Sequence, residues 1–196
     1  MQVKLEKRHT IDASVETAWK VLRDVKVVAE CMPGASITEQ TGDDQYKGVV
    51  SVRVGPVQTS FGGTIDVTSI DEAAHTLALS AKGKDKSGSS SATMQLTASV
   101  SAAEGGGCEL VGNSEIRVMG KMANFGARMI NGVADQLIGQ FLDTFSTTVL
   151  AAGEGAAAAN AASKLTEQPK ELNALALAWA LVADFFRRLF GSTKET

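Results

Sequence analysis

Two histidines, two cysteines, three prolines and one tyrosine in 196 residues leave little of the side-chain chemistry on which metal sites and nucleophilic catalysis rest. His9 and His75 fall in separate strand-like segments, outside any HxH or HExxH spacing. His9 lies on the inward alternation of its segment and reads as a hydrogen-bonded core residue. His75 follows a turn and is expected to be exposed. Cys31 and Cys108 are far apart without CxxC spacing and read as reduced, buried thiols. No serine lies in GxSxG, and neither cysteine has an adjacent base. Gly105-Gly106-Gly107 precedes a strand and opens no helix, so it is a turn and not a phosphate cradle. The Gly83–Ser87 run lacks Walker spacing. A net charge of −3 gives no basic excess for nucleic acid. Met1 to Asp12 contains no apolar h-region, so the body is expected in the cytoplasm.

What is present is periodicity. Gln2 to Ile11 alternates Val3, Leu5, Lys7, His9 and Ile11 against polar neighbours and predicts a strand. Ser14 is an N-cap for a helix whose stripe is Ala18, Trp19, Val21 and Leu22. A second short helix, Val25 to Cys31, ends at Met32-Pro33-Gly34, because proline disfavours helical geometry in the preceding residue. Ala35 to Met119 reads as five or six antiparallel strands joined by short Gly/Asp/Ser turns, a meander. Asp43-Asp44 and Asp71-Glu72 are solvated turns. A long helix is then predicted. Met122, Phe125, Met129, Val133, Leu137, Phe141 and Phe145 recur every three or four residues, and Ile130, Ile138 and Leu142 widen the stripe. Asn124, Arg128, Asp135 and Asp143 are left for water.

This order is that of an α+β helix-grip fold: a curved antiparallel sheet around a long C-terminal helix. A helix across a concave sheet leaves apolar space between them. The residues predicted to line it are Val50, Val52, Phe61, Ile65, Leu79, Met94, Leu96 and Ile116 from the sheet. Met122, Phe125, Met129 and Val133 face them from the helix. Methionine adapts to ligands of varied shape. Two alternatives stay open: a filled core with no ligand, or a helix-grip hydrolase or cyclase. The latter needs a polar cluster inside, for which Tyr46, Arg53 and Glu115 are the candidates.

Composition changes after Leu150. Residues 151–170 are small and polar and cannot bury a core, so they read as a linker of about 25 Å root-mean-square span. Residues 171–191 place Leu172, Leu175, Trp179, Val182, Phe186 and Leu189 on one stripe, broadened by Phe185 and Phe190. The near-unbroken apolar run, Ala174 to Ala183, reaches only about 15 Å as helix, half of a roughly 30 Å hydrocarbon core. An in-plane membrane helix is the favoured reading. Docking on a partner protein and packing back on the body are the alternatives.

The runs WKVLRDVKVVAECMPG (from Trp19), YKGVVSVRVGPVQTSFGGTIDV (from Tyr46) and VMGKMANFGARMI (from Val118) resemble the carbon monoxide dehydrogenase G-subunit family of the START/Bet v 1-like (SRPBCC) superfamily. The resemblance covers about residues 1–150. It implies a non-enzymatic accessory protein, without metal or covalent cofactor. Its partner would be a molybdenum-containing CO dehydrogenase, or a related molybdenum hydroxylase, brought to the inner face of the cytoplasmic membrane. Joined to the expected cavity, it suggests a bound quinone or other isoprenoid lipid, through which electrons reach the respiratory chain. A plain recruitment adaptor is the competing reading. The loop Lys84-Asp85-Lys86-Ser87-Gly88-Ser89 departs from the glycine-rich run typical of that family, so no loop function is carried over.

Overall fold

The computed structural model describes residues 1–153 and 161–162. Chain order is β1 (Gln2–Ile11), α1 (Val15–Leu22), α2 (Val25–Cys31), β2 (Ala35–Gly42), β3 (Gln45–Val54), β4 (Val57–Asp71), β5 (Thr76–Asp85), β6 (Ser90–Ala102), β7 (Cys108–Gly120), a 3-10 turn (Lys121–Phe125) and α3 (Ala127–Ala152). All seven strands form one sheet in the order β1-β7-β6-β5-β4-β3-β2, with every pairing antiparallel. Strands β2 to β7 are the predicted meander, and β1 returns to close beside β7. This is the α+β helix-grip arrangement that the periodicities predict.

Local chemistry sets the boundaries. The Ser14 side chain accepts from the Thr17 N–H at 3.1 Å, and Asp24 Oδ1 accepts from Lys26 N and Val27 N at 3.0 and 3.2 Å. Both caps satisfy donors that a first helical turn leaves free. Met32 is extended before Pro33, and α2 ends there.

The sheet bends where side chains are absent. Gly48, Gly63 and Gly83 stand in one row across β3, β4 and β5. A Cβ on Gly63 would overlap the Lys82 carbonyl, so the strands come together there only because glycine occupies the position.

Inside the bend, Leu77, Leu79, Ala98, Val100 and Leu110 from the sheet meet Ala18, Trp19 and Leu22 from α1 and Phe145 and Val149 from α3 in the main core. Phe145 and Val149 are wholly covered. A second cluster joins Val54, Val118 and Met122, with Met1, Phe61, Ile116, Phe125, Ile130 and Val133 packed around it.

The long helix differs from its predicted form. Met122 and Phe125 do not belong to it but to the 3-10 turn, and α3 begins at Ala127. The break is Gly126, whose φ of 78° and ψ of 158° are incompatible with a continuous helix. At its far end α3 runs two residues past Leu150 and stops at Ala152. Most of the predicted linker lies outside the described residues. So does the whole terminal stripe: Leu172, Leu175, Trp179, Val182, Phe185, Phe186, Leu189 and Phe190. Among the described residues no helix is long and apolar enough to cross a membrane.

Candidate ligand cavity and its rim

Strand register determines which predicted lining residues become neighbours. Ile65, Met94 and Ile116 stand in one row across β4, β6 and β7 with Ala81 between them, and Leu79 pairs with Leu96 in the next row. Val50 pairs with Phe61 across the β3–β4 hairpin. All eight sheet residues share the parity of the core-facing side. Burial then separates them. Leu79 is buried in the main core, and Ile65, Met94 and Leu96 pack against it while half-buried. Phe61, Ile116, Phe125 and Val133 surround the second cluster, with Met122 at its centre. Val50 and Val52 are half-buried and join neither cluster, and Met129 is 41% exposed.

The two halves of α3 are correspondingly unlike. The second half buries Phe145 and Val149 completely, while no residue from Ala127 to Gln140 is buried. Ile130, Val133, Leu137 and Ile138 keep partial access to solvent though they occupy the apolar stripe. Apolar side chains held in this way, opposite a half-buried apolar sheet face, are only partly withdrawn from water. Gly55, at the β3–β4 turn, comes close enough to Met129 that a Cβ there would lie 3.7 Å from its sulfur. The hairpin turn and the start of α3 therefore lie side by side.

Polar groups of β1 also enter the helix–sheet interface. Lys7 Nζ pairs with Asp135 Oδ1 of α3 at 2.9 Å. Asp135, expected to face only water, is thus a tie between helix and sheet. His9 Nε2 and Ser146 Oγ are 2.8 Å apart, and Ser146 Oγ also donates to the Leu142 carbonyl at 2.7 Å. His9 is the hydrogen-bonded inward histidine its parity predicts. Lys7 shares that inward parity along the chain, but its partner is met only where α3 crosses β1. His75 is not the exposed residue expected. It is half-buried with its ring 5.6 Å from that of Trp19, and it adopts a φ of 47°.

The candidate catalytic cluster does not form. Tyr46 faces inward, but its hydroxyl donates to the Asp43 carbonyl at 3.4 Å. Arg53 is exposed beside the hairpin turn. Glu115 stands on the outer sheet face, where Arg117 donates to it at 2.9 Å. Among the described residues there is no group of three or more His, Cys, Asp or Glu able to hold a metal ion. Burial pushes the Cys31 and Cys108 thiols up, away from the reactive thiolate. The Glu72 carboxyl is held below its usual range, first by the Trp19 indole N–H, which donates to it at 2.6 Å, and then by Arg23. That network fastens α1 to the β4–β5 turn at the closed end.

Two shallow concavities lie elsewhere. One of about 370 Å³ runs between α2 (Lys26, Glu30) and edge strand β2, and one of about 320 Å³ lies over polar residues of the outer sheet face, among them Lys82, Thr93 and Gln95. Neither has the apolar lining expected of a hydrophobic-ligand site.

Comparison with solved structures places the fold. A conserved protein from Geobacillus kaustophilus superposes with a TM-score of 0.67 at 24% identity, over 75% of this chain and 95% of that one. The Zhui aromatase/cyclase from Streptomyces sp. R1128 gives 0.55 at 16% identity over 76% and 94%, and Ara h 8.0201 gives 0.50 at 16% over 76% and 99%. At these identities the likeness is one of fold. No curated protein matches the chain significantly. The family model for the G subunit of carbon monoxide dehydrogenase (CoxG) matches residues 8–150, from the middle of β1 almost to the end of α3. With nearly the whole grip matched, the chain belongs to the carbon monoxide dehydrogenase G-subunit (CoxG) family.

Proposed function

We propose that this protein is a non-enzymatic accessory to a molybdenum-containing CO dehydrogenase or a related molybdenum hydroxylase. In this reading it holds a hydrophobic ligand, a quinone or other isoprenoid lipid, between the first half of α3 and the sheet. Its C-terminal residues tether the assembly to the inner face of the cytoplasmic membrane. The observation that carries the ligand reading is the half-buried apolar stripe of α3 from Ile130 to Ile138, whose Ile130 and Val133 share one cluster with Phe61 and Ile116 of the sheet. Such a surface is costly in water, and a lipid of matching length removes it from water at about 25 cal/mol per Å². Family membership supports the enzyme partner. Bound there, a quinone would supply a two-electron, two-proton acceptor for the enzyme, held by the apolar residues of α3 and the sheet.

The test is direct. Full-length protein purified without detergent is extracted, and the extract is analysed by mass spectrometry. Stoichiometric isoprenoid in wild-type protein, lost in Val133→Glu, supports the carrier. If the extract holds no lipid and added quinone causes no change in melting temperature, the protein is a plain recruitment adaptor. For the tether, Trp179→Glu/Phe186→Glu should move the protein from the membrane to the soluble fraction.

A further inference from the structure

The four turns at one end of the sheet are acidic, and cations stand in and beside the turns at the other end. The β1–α1, β2–β3, β4–β5 and β6–β7 connections carry Asp12, Asp43, Asp44, Glu72 and Glu104, with no lysine or arginine. At the opposite end lie the β3–β4 turn, the β5–β6 turn and the passage from β7 into α3. There Arg53, Lys84, Lys86, Lys121 and Arg128 are all exposed. None of these five forms an ion pair among the described residues, whereas Lys7, Arg23 and Lys47 elsewhere do. The carboxylate at this end, Asp85, is occupied by the hydroxyls of Ser87 and Ser89 and the Ser90 N–H.

The same end carries exposed apolar side chains. Val57 is 38% exposed and Met129 is 41% exposed, and Met119 stands beside Gly120 at 55%. Of the remaining large exposed apolar residues, Val49 stands on the outer sheet face and Ile70 near the acidic end. Through Val54, Val118 and Met122 the hairpin, the end of β7 and the 3-10 turn belong to one packed cluster, so these loops form a continuous rim.

We propose that this basic, apolar rim is a membrane-docking face for anionic lipid, seating the open end of the grip against the bilayer. This rests on the membrane role proposed above and adds that the body, not only the C-terminal segment, meets lipid. The chemistry is that of an interfacial surface: cations without an ion-pair partner attract anionic headgroups, and apolar side chains enter the headgroup boundary. The orientation also suits exchange, since a lipid leaving the bilayer reaches Val52 and Val133 without crossing water.

The experiment uses the full chain carrying Val57→Cys, labelled with an environment-sensitive fluorophore, beside Ala74→Cys in the acidic β4–β5 turn. The native thiols are buried. On vesicles containing phosphatidylglycerol the label at position 57 should shift to the blue and be quenched by brominated lipid, and the label at 74 should do neither. Lys121→Glu/Arg128→Glu should abolish the response and weaken vesicle binding at least about tenfold at low salt. Lys20→Glu/Lys26→Glu, an equal charge change on α1 and α2, should leave it intact. A chain bound to vesicles with the position 57 label still in water overturns the docking face, as does equal response on neutral phosphatidylcholine. If Trp179→Glu/Phe186→Glu binds as well as wild type while the label responds, the tether is wrong and the docking face stands. Failure of wild type to bind either vesicle overturns both.

Discussion

Where α3 ends, Phe145 and Val149 are fully covered, α1 seals the sheet, and Trp19 is fastened to Glu72. Where α3 begins, the helix has no buried residue for nearly four turns, its start is a glycine break after a 3-10 turn, and the facing strands keep half-buried valines. One helix is thus a core element along its second half and only partly covered along its first. The contrast teaches that an apolar stripe of constant spacing does not imply constant burial. What lies across from each turn decides it. At one end α1 and α2 fill the concavity. At the other the helix meets the second cluster through Ile130 and Val133, the β3–β4 hairpin at Met129 and β1 through Asp135, without burying any of its own residues.

Cavity-creating substitutions should break or confirm this comparison most strongly. Phe145→Ala should lose about 3–5 kcal/mol in urea unfolding, whereas Val133→Ala should lose under about 1 kcal/mol, because its site already reaches solvent. Equal losses would mean that both halves of α3 are core. Overpacking should give the next largest difference. Val149→Phe should cost about 1–3 kcal/mol, while Val133→Phe should fold at near wild-type stability with less extractable lipid. If Val133→Phe is as destabilising as Val149→Phe, the space beneath the first half of α3 is not there.

The fastening at the closed end is open to a pH test. The Glu72 carboxyl is depressed by the Trp19 N–H and Arg23. Its contribution to stability is therefore complete above the usual carboxylate range and is lost as pH falls through its lowered folded value. In a Trp179→Phe background, Trp19 emission should change over that acid window, and Glu72→Gln should remove the change. The smallest effect is at the thiols. Both are raised by burial, so their contribution holds below the ordinary thiol range and declines as pH rises through the raised folded values. A thiol reagent at mildly alkaline pH should leave Cys31 and Cys108 unmodified until denaturant is added; rapid native labelling of either would show that the closed end opens.

The sequence by itself determined the element types and their order. Parity in β1 and β3, the Ser14 and Asp24 caps and the Pro33 stop are local, and each came out as the chemistry of neighbouring residues dictates. The core-facing parity of Val50, Phe61, Ile65 and Leu96 was legible for the same reason. Tertiary structure alone decided how these residues divide between a closed core and an open rim, because burial depends on what crosses the strand. It also decided that Met122 and Phe125 leave the helix, since the stripe continues through Gly126 unbroken while the backbone does not. Lys7 with Asp135, His9 with Ser146 and Trp19 with Glu72 join residues that only the fold brings together. The acidic and basic ends are likewise invisible along the chain, where the charges alternate. An antiparallel meander sends every second turn to the same end, and only that sorting gives the molecule its two faces.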